Sequence, residues 1–354
     1  LARSARHSDK HFGMSNVPIY ETSTIVFPTL EAYYDARKGN SVYYPDNDYG
    51  FDLAYGTSGT PTVFALAEII AKLEGVEHTT ITPSGLASIT ICLSALLEKG
   101  DHLIVTDCVY NPTRRFCDTE LKKFGIETSY VRADIGKDIE KHIKKNTKII
   151  YMESPGSFTM DIQDVPEITK IAKSHNILTI LDNSWATPIY FDSFKHGVDV
   201  SLHALSKYIS GNSDIIIGTI SAKDKEIFKK IYSTRHNFGV IASPYDCSLA
   251  LRGIRSLSAR MKINYENALK IISWLETQPK VTKIFFPGYN KDENYKLWKR
   301  DFTGASGLFS FAIKDSNYEN AAKFINSLKL FSIGASWGGC ESIISHFTLD
   351  KVRT

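Results

Sequence analysis

Little in the sequence marks a secreted, metal-bound or membrane protein. The five cysteines, Cys92, Cys108, Cys117, Cys247 and Cys340, are odd in number, widely spread and never in a CxxC pair. That argues against a disulfide framework and for reduced thiols. No HExxH motif and no Cys/His cluster with ligand spacing occurs, so no metal is expected. No apolar run approaches ~18 residues, and the opening Leu-Ala-Arg-Ser-Ala-Arg-His has no apolar signal segment. The expectation is a cytoplasmic protein with no membrane partner. Charge of one sign is scarce too: 42 basic against 39 acidic residues leave a net +3, too small an excess for a nucleic-acid footprint. The lysine-rich run 141–145 reads as a solvated helix face, and internal repeats and low-complexity tracts are absent.

What is present suits a globular chain with a sizeable core, at 43% hydrophobic, 12% aromatic and 23% charged residues. A length of 354 residues suggests two domains, one large and one small. Between about 60 and 250, short apolar β-rich runs alternate with helical periods, which predicts βα units around a mostly parallel sheet. The strand candidates are 79–82, 102–106, 128–132, 148–153, 177–182, 198–202 and 215–221. Helices are expected at 64–73, 86–97, 113–124 and, after an Asp164 cap, 165–174. The class is α/β, a doubly wound or three-layer sandwich. Residues 1–59 read as an extended arm over a body or a neighbouring subunit, 60–255 as the large domain, and 256–354 as a smaller α+β domain.

In open α/β sheets ligands collect at the carboxyl ends of strands, and four strand endings carry chemistry. Thr82-Pro-Ser-Gly-Leu-Ala-Ser turns into a helix whose first amides, at Gly85 and Leu86, suit a phosphate; an ordinary cap has the same appearance. Ile180-Leu-Asp-Asn-Ser closes a buried run on Asp182. That carboxylate needs a cationic partner such as a protonated pyridine nitrogen, unless it is a turn or cap aspartate. Leu202-His-Ala-Leu-Ser-Lys-Tyr puts Lys207 in a small polar turn one βαβ step beyond Asp182, a placement suited to a depressed pKa and imine formation. Ser206 beside it can donate to the phosphate. Thr106-Asp-Cys-Val-Tyr places Tyr110 just past a strand, where it can stack on a ring and assist proton transfer.

At these residues the chain resembles the Cys/Met-metabolism family of fold-type-I enzymes that use pyridoxal 5'-phosphate (PLP). The matching segments are Tyr55-Gly-Thr-Ser-Gly-Thr-Pro-Thr, Pro83-Ser-Gly-Leu-Ala, Glu153-Ser-Pro-Gly-Ser, Leu181-Asp-Asn-Ser-Trp-Ala, Leu205-Ser-Lys-Tyr with Gly211-Asn-Ser-Asp, and Trp298-Lys-Arg-Asp-Phe-Thr-Gly-Ala-Ser-Gly-Leu-Phe-Ser-Phe. Glu153-Ser-Pro-Gly-Ser and Ser336-Trp-Gly-Gly-Cys-Glu-Ser point to its β-lyase branch. The resemblance implies a PLP transferase-like three-layer sandwich in which Lys207 bonds the cofactor, Asp182 pairs with its ring nitrogen and Tyr110 stacks over it. Gly85, Leu86 and Ser206 hold the phosphate, and Tyr55 reaches the phosphate of a neighbouring subunit in a homo-oligomer, a dimer of dimers. Ser336 and Trp337 border the pocket of a small sulfur amino acid. The implied reaction converts cystathionine to homocysteine, pyruvate and ammonia in methionine biosynthesis. The alternatives are a γ-synthase or γ-lyase of the same family, or a non-catalytic homologue. Racemisation is open as a side activity, because one carbanion can be reprotonated from either face.

Three departures stand out. Thr57 occupies the place of a second phosphate-binding arginine, and Ala204 stands where the family often has a hydroxyl. The chain given stops at Thr354, before the strand that in the family carries the arginine for the substrate carboxylate; Arg353 precedes that strand, so the small domain is expected to be incomplete.

Overall fold

The computed structural model describes residues 4–43, 53–314, 317–349 and 353. Its central element is a seven-stranded sheet built from β1 (His78–Thr82), β2 (His102–Thr106), β3 (Glu127–Val131), β4 (Thr147–Glu153), β5 (Leu178–Asp182), β6 (Val200–His203) and β7 (Gly218–Ala222). The strand order is β1-β7-β6-β5-β4-β2-β3. Pairing is parallel from β3 through β6, and β7 runs antiparallel to both β6 and β1. All five residues of β2 are buried, which is why the strand reads as an unbroken apolar run and not an alternating one.

Helices cover both faces. They are α1 (Leu30–Arg37), α2 (Pro61–Glu74), α3 (Gly85–Leu96), α4 (Asn111–Phe116), α5 (Val165–Ser174), α6 (Thr187–Tyr190), α7 (Lys225–Asn237), α8 (Pro244–Ile254) and α9 (Leu257–Leu275). On one face Ile89 and Leu93 of α3 and Phe228 and Ile231 of α7 pack on Val105, Ile180 and Val200. On the other, Ile168 of α5 and Ala268 and Ile272 of α9 meet Ile150, Leu181 and Phe286. Leu66 and Ile69 of α2 join Ile254 of α8 over Ile81 and Leu205. The result is the three-layer α/β sandwich expected.

Local signals account for the boundaries. Pro61 at the first turn and Gly75 at φ 72° bracket α2. Asp164 accepts the Glu167 amide and starts α5, and Asp224 accepts the Glu226 and Ile227 amides to start α7. The expected helix 113–124 is in fact α4 followed by a π-turn at Cys117–Leu121. The arm, expected to be extended, contains α1, capped by Thr29; its stretch 44–52 lies outside the described residues. Beyond α9, strands Val281–Phe285 and Ser310–Ile313 pair antiparallel, and Ser332–Ile333 pairs parallel with Ile343–Ile344. No described helix is long and apolar enough to cross a membrane.

Candidate active site

Strands β1, β4 and β5 and the β6–β7 crossover discharge their polar residues at the carboxyl ends of the parallel strands, where they form a cup. Its floor is acidic. In the β4–β5 register Glu153 lies opposite Asp182, so both side chains leave the sheet on the same side. Asp182 accepts the Ser184 hydroxyl at 2.6 Å and its amide at 3.0 Å, and Ser184 Oγ in turn accepts the Ala204 amide at 2.7 Å. Among the described residues Asp182 forms no ion pair. Burial raises its pKa; the Ser184 hydrogen bonds and the nearby His203 and Lys207 oppose the rise.

Lys207 enters from the tight turn between β6 and β7. Its Nζ donates to Ser336 Oγ at 2.6 Å and lies 5.3 Å from the centre of the Trp337 ring. Burial lowers the pKa of this amine, and Asp182 partly counters that. Ser336 adopts φ 113°, a backbone state that costs a non-glycine residue about 1–3 kcal/mol. The turn is held from outside: Arg260 donates to the Tyr208 carbonyl at 2.6 Å, the Ile209 carbonyl at 3.2 Å and the Gly253 carbonyl at 2.9 Å. The Tyr208 hydroxyl accepts the Gly307 and Leu308 amides at 2.9 and 3.1 Å. These supports escaped sequence reasoning because all but the Arg260–Gly253 bond act over about 50 to 100 residues of chain.

The third wall is the start of α3. Ser84 caps it by accepting the Ala87 amide at 2.9 Å, which leaves the Gly85 and Leu86 amides, the first two of the helix, without an intrahelical acceptor. Gly85 abuts the Lys207 crossover: a Cβ there would stand 2.7 Å from Ala204 Cβ. Ser206 is engaged elsewhere, its hydroxyl donating to the Ile217 carbonyl at 3.0 Å and accepting the Ile217 amide at 2.8 Å. Tyr110, the N-cap of α4, is 47% exposed.

One expected residue lies apart from this group, and Arg353, not expected to bind substrate, is tied to neighbouring turns. Tyr55, 50% exposed, lines a separate cleft of about 280 Å³ with Thr22, Thr57, Val63 and Pro244. Arg353 donates to the Asp107 carbonyl at 3.0 Å, the Ser157 carbonyl at 2.7 Å and Thr159 Oγ1 at 2.6 Å. Its donors are therefore spent on two turns of the rim.

A cup with a desolvated carboxylate on its floor, a desolvated lysine on one wall and two free helix-start amides on another fits a phosphorylated ring with a basic nitrogen and an aldehyde. Asp182 without an ion pair is the observation that tests the fit: it meets the cation that burial of a carboxylate demands. The fold and this site define a PLP-dependent enzyme. The chain belongs to the Cys/Met metabolism PLP-dependent enzyme family, whose sequence profile matches residues 1–352. It is 40% identical over 346 residues to the L-alanine/L-glutamate racemase of Wolbachia pipientis wMel, covering 97% of this chain and 85% of that protein. It is 35% identical over 347 residues to the cystathionine β-lyase MetC of Escherichia coli K12, covering 97% and 86%. Among solved structures, the cystathionine γ-lyase of Lactobacillus plantarum complexed with L-serine superposes with a TM-score of 0.88 at 31% identity, over 97% of this chain and 85% of that one.

Proposed function

We propose that the chain is a carbon–sulfur β-lyase that splits L-cystathionine, with water, into homocysteine, pyruvate and ammonia in methionine biosynthesis. The observation that supports this reading is the lysine: its desolvated Nζ sits 2.6 Å from Ser336 Oγ in the same cup as Asp182. When bound, PLP supplies an electron sink for the pair left by the departing α-proton. Lys207 Nζ, shifted by burial toward its neutral form, takes that proton and returns one to the leaving sulfur. Ser336 Oγ holds the amine in place between these transfers. Asp182, fixed by Ser184, would pair with the ring nitrogen, and Tyr110 would cover the ring and exclude water. Gly85 and Leu86 would hold the phosphate, joined by Ser206 if its hydroxyl turned from Ile217. Trp337 walls the substrate side.

The same reading makes the assembly a dimer of dimers in which Tyr55 serves a neighbouring copy, and it places the enzyme in the cytoplasm. It divides the chain into an arm (1–59), a cofactor-binding domain (60–255) and a small domain (256–354). One observation favours a second reading, amino-acid racemisation: the Wolbachia relative at 40% identity. Incubation with L-cystathionine, L-alanine and L-glutamate separates them. Homocysteine with pyruvate supports β-elimination. Cysteine with 2-oxobutyrate overturns it in favour of γ-elimination, and D-alanine or D-glutamate without pyruvate overturns it in favour of racemisation.

A further inference from the structure

We propose that Glu153 is a positioning residue for Tyr110, setting the face that this tyrosine turns to the cofactor ring. Glu153 Oε2 accepts the Tyr110 amide at 2.5 Å and Oε1 accepts the Ser157 hydroxyl at 2.6 Å. One carboxylate thus joins the 107–110 turn to the 153–157 turn. The seam continues on both sides. The Ser157 amide donates to the Cys108 carbonyl at 2.7 Å, Arg353 bridges the Asp107 and Ser157 carbonyls, and Gly156 lies so close that a Cβ would meet Cys108 Sγ at 2.4 Å. Of these seam contacts, the one from Glu153 reaches Tyr110 itself. The Tyr110 carbonyl accepts the Thr113 amide at 2.8 Å, so the tyrosine is pinned through its carbonyl by α4 and through its N–H by Glu153. Tyr110 is 47% exposed, and a backbone fixed at both ends sets the point and direction from which its side chain leaves the chain. Replacing a carboxyl acceptor so deeply set strands the amide it served.

The proposal rests on the reading of Tyr110 as the residue that covers the ring, and the test separates the two. Glu153→Ala, Glu153→Asp, Glu153→Gln and Tyr110→Ala are made in the full chain. Each is titrated as apoprotein with PLP, and the induced circular dichroism of the bound-cofactor band is recorded. Glu153→Ala is expected to weaken PLP binding about tenfold and to alter the band in the same sense as Tyr110→Ala. Glu153→Asp keeps the carboxyl group but withdraws it by one methylene, so it should reproduce that band change even if the alanine variant does not fold. Glu153→Gln, whose carbonyl can accept from Tyr110 and whose amide can donate to Ser157, is expected within about threefold of the parent and with its band. Parent-like bands in the alanine and aspartate variants beside an altered Tyr110→Ala band would overturn the proposal alone, and so would a glutamine variant that behaves like alanine. An unchanged band in Tyr110→Ala would overturn the reading of Tyr110 and the proposal with it.

Discussion

Gly85→Ala is the most informative single change in the phosphate wall. The added methyl would stand 2.7 Å from Ala204 Cβ and 3.1 Å from its Cα, about 1 Å inside normal carbon contact. Neither partner can yield cheaply, since one opens α3 and the other lies three residues before Lys207. Overpacking of this kind costs about 1–3 kcal/mol, and the small helix-propensity gain of alanine over glycine offsets less than ~1 kcal/mol of it. At roughly 2 °C per kcal/mol for a chain of this size, the apoprotein should melt about 2–6 °C lower. A shift of the helix start by a few tenths of an ångström also misaligns the two free amides, and losing one charge-assisted hydrogen bond of ~1.5–3 kcal/mol should weaken PLP binding by about 10- to 100-fold. Thermal unfolding followed by circular dichroism and PLP titration of the apoprotein read the two effects separately. The control is the double variant with Ala204→Gly. It removes the 2.7 Å contact and leaves the 3.1 Å one, so it should recover more than half of both losses. If Gly85→Ala melts and binds as the parent does, or if Ala204→Gly restores nothing, the close-approach account is wrong.

Further outcomes follow from the other walls. Lys207→Ala should abolish turnover and the visible absorbance of bound cofactor; a retained band would refute the assignment of the lysine. Burial and the neighbouring Asp182 push the Glu153 carboxyl up to about 8. The native state therefore binds more protons than the unfolded chain between the ordinary glutamate value and about 8, and stability falls as pH rises through that window. Urea unfolding of the apoprotein at several pH values should show this slope, and Glu153→Gln should flatten it; an equal slope in both proteins counts against it. Arg260→Ala strands the Tyr208 and Ile209 carbonyls of the Lys207 turn and should destabilise the chain by about 2–4 kcal/mol, measurable as a lower urea midpoint at constant slope.

The sheet was legible because its strands are buried on both faces: β2 was placed at its observed ends, and α5 was bounded correctly by the Asp164 cap. Strand direction was not legible. β7 reads like its neighbours in composition, and its reversal shows only in the absence of a helix between His203 and Gly218. Helix α7 was not among the helices read from the pattern, since the polar run Lys225–Asn237 buries only Phe228, Ile231, Tyr232 and Arg235. At the site, Asp182, Lys207 and Gly85 could be found because strand endings mark them. Ser184 and Arg260 could not, because their work is done through contacts that local pattern does not encode, and Glu153 could be seen only as part of a motif.

Ser336 carries a consequence of a different kind. Glycine would relax its φ of 113° but delete the hydroxyl that receives Lys207. At this one position, selection for a sturdier chain and selection for a steadied amine pull in opposite directions.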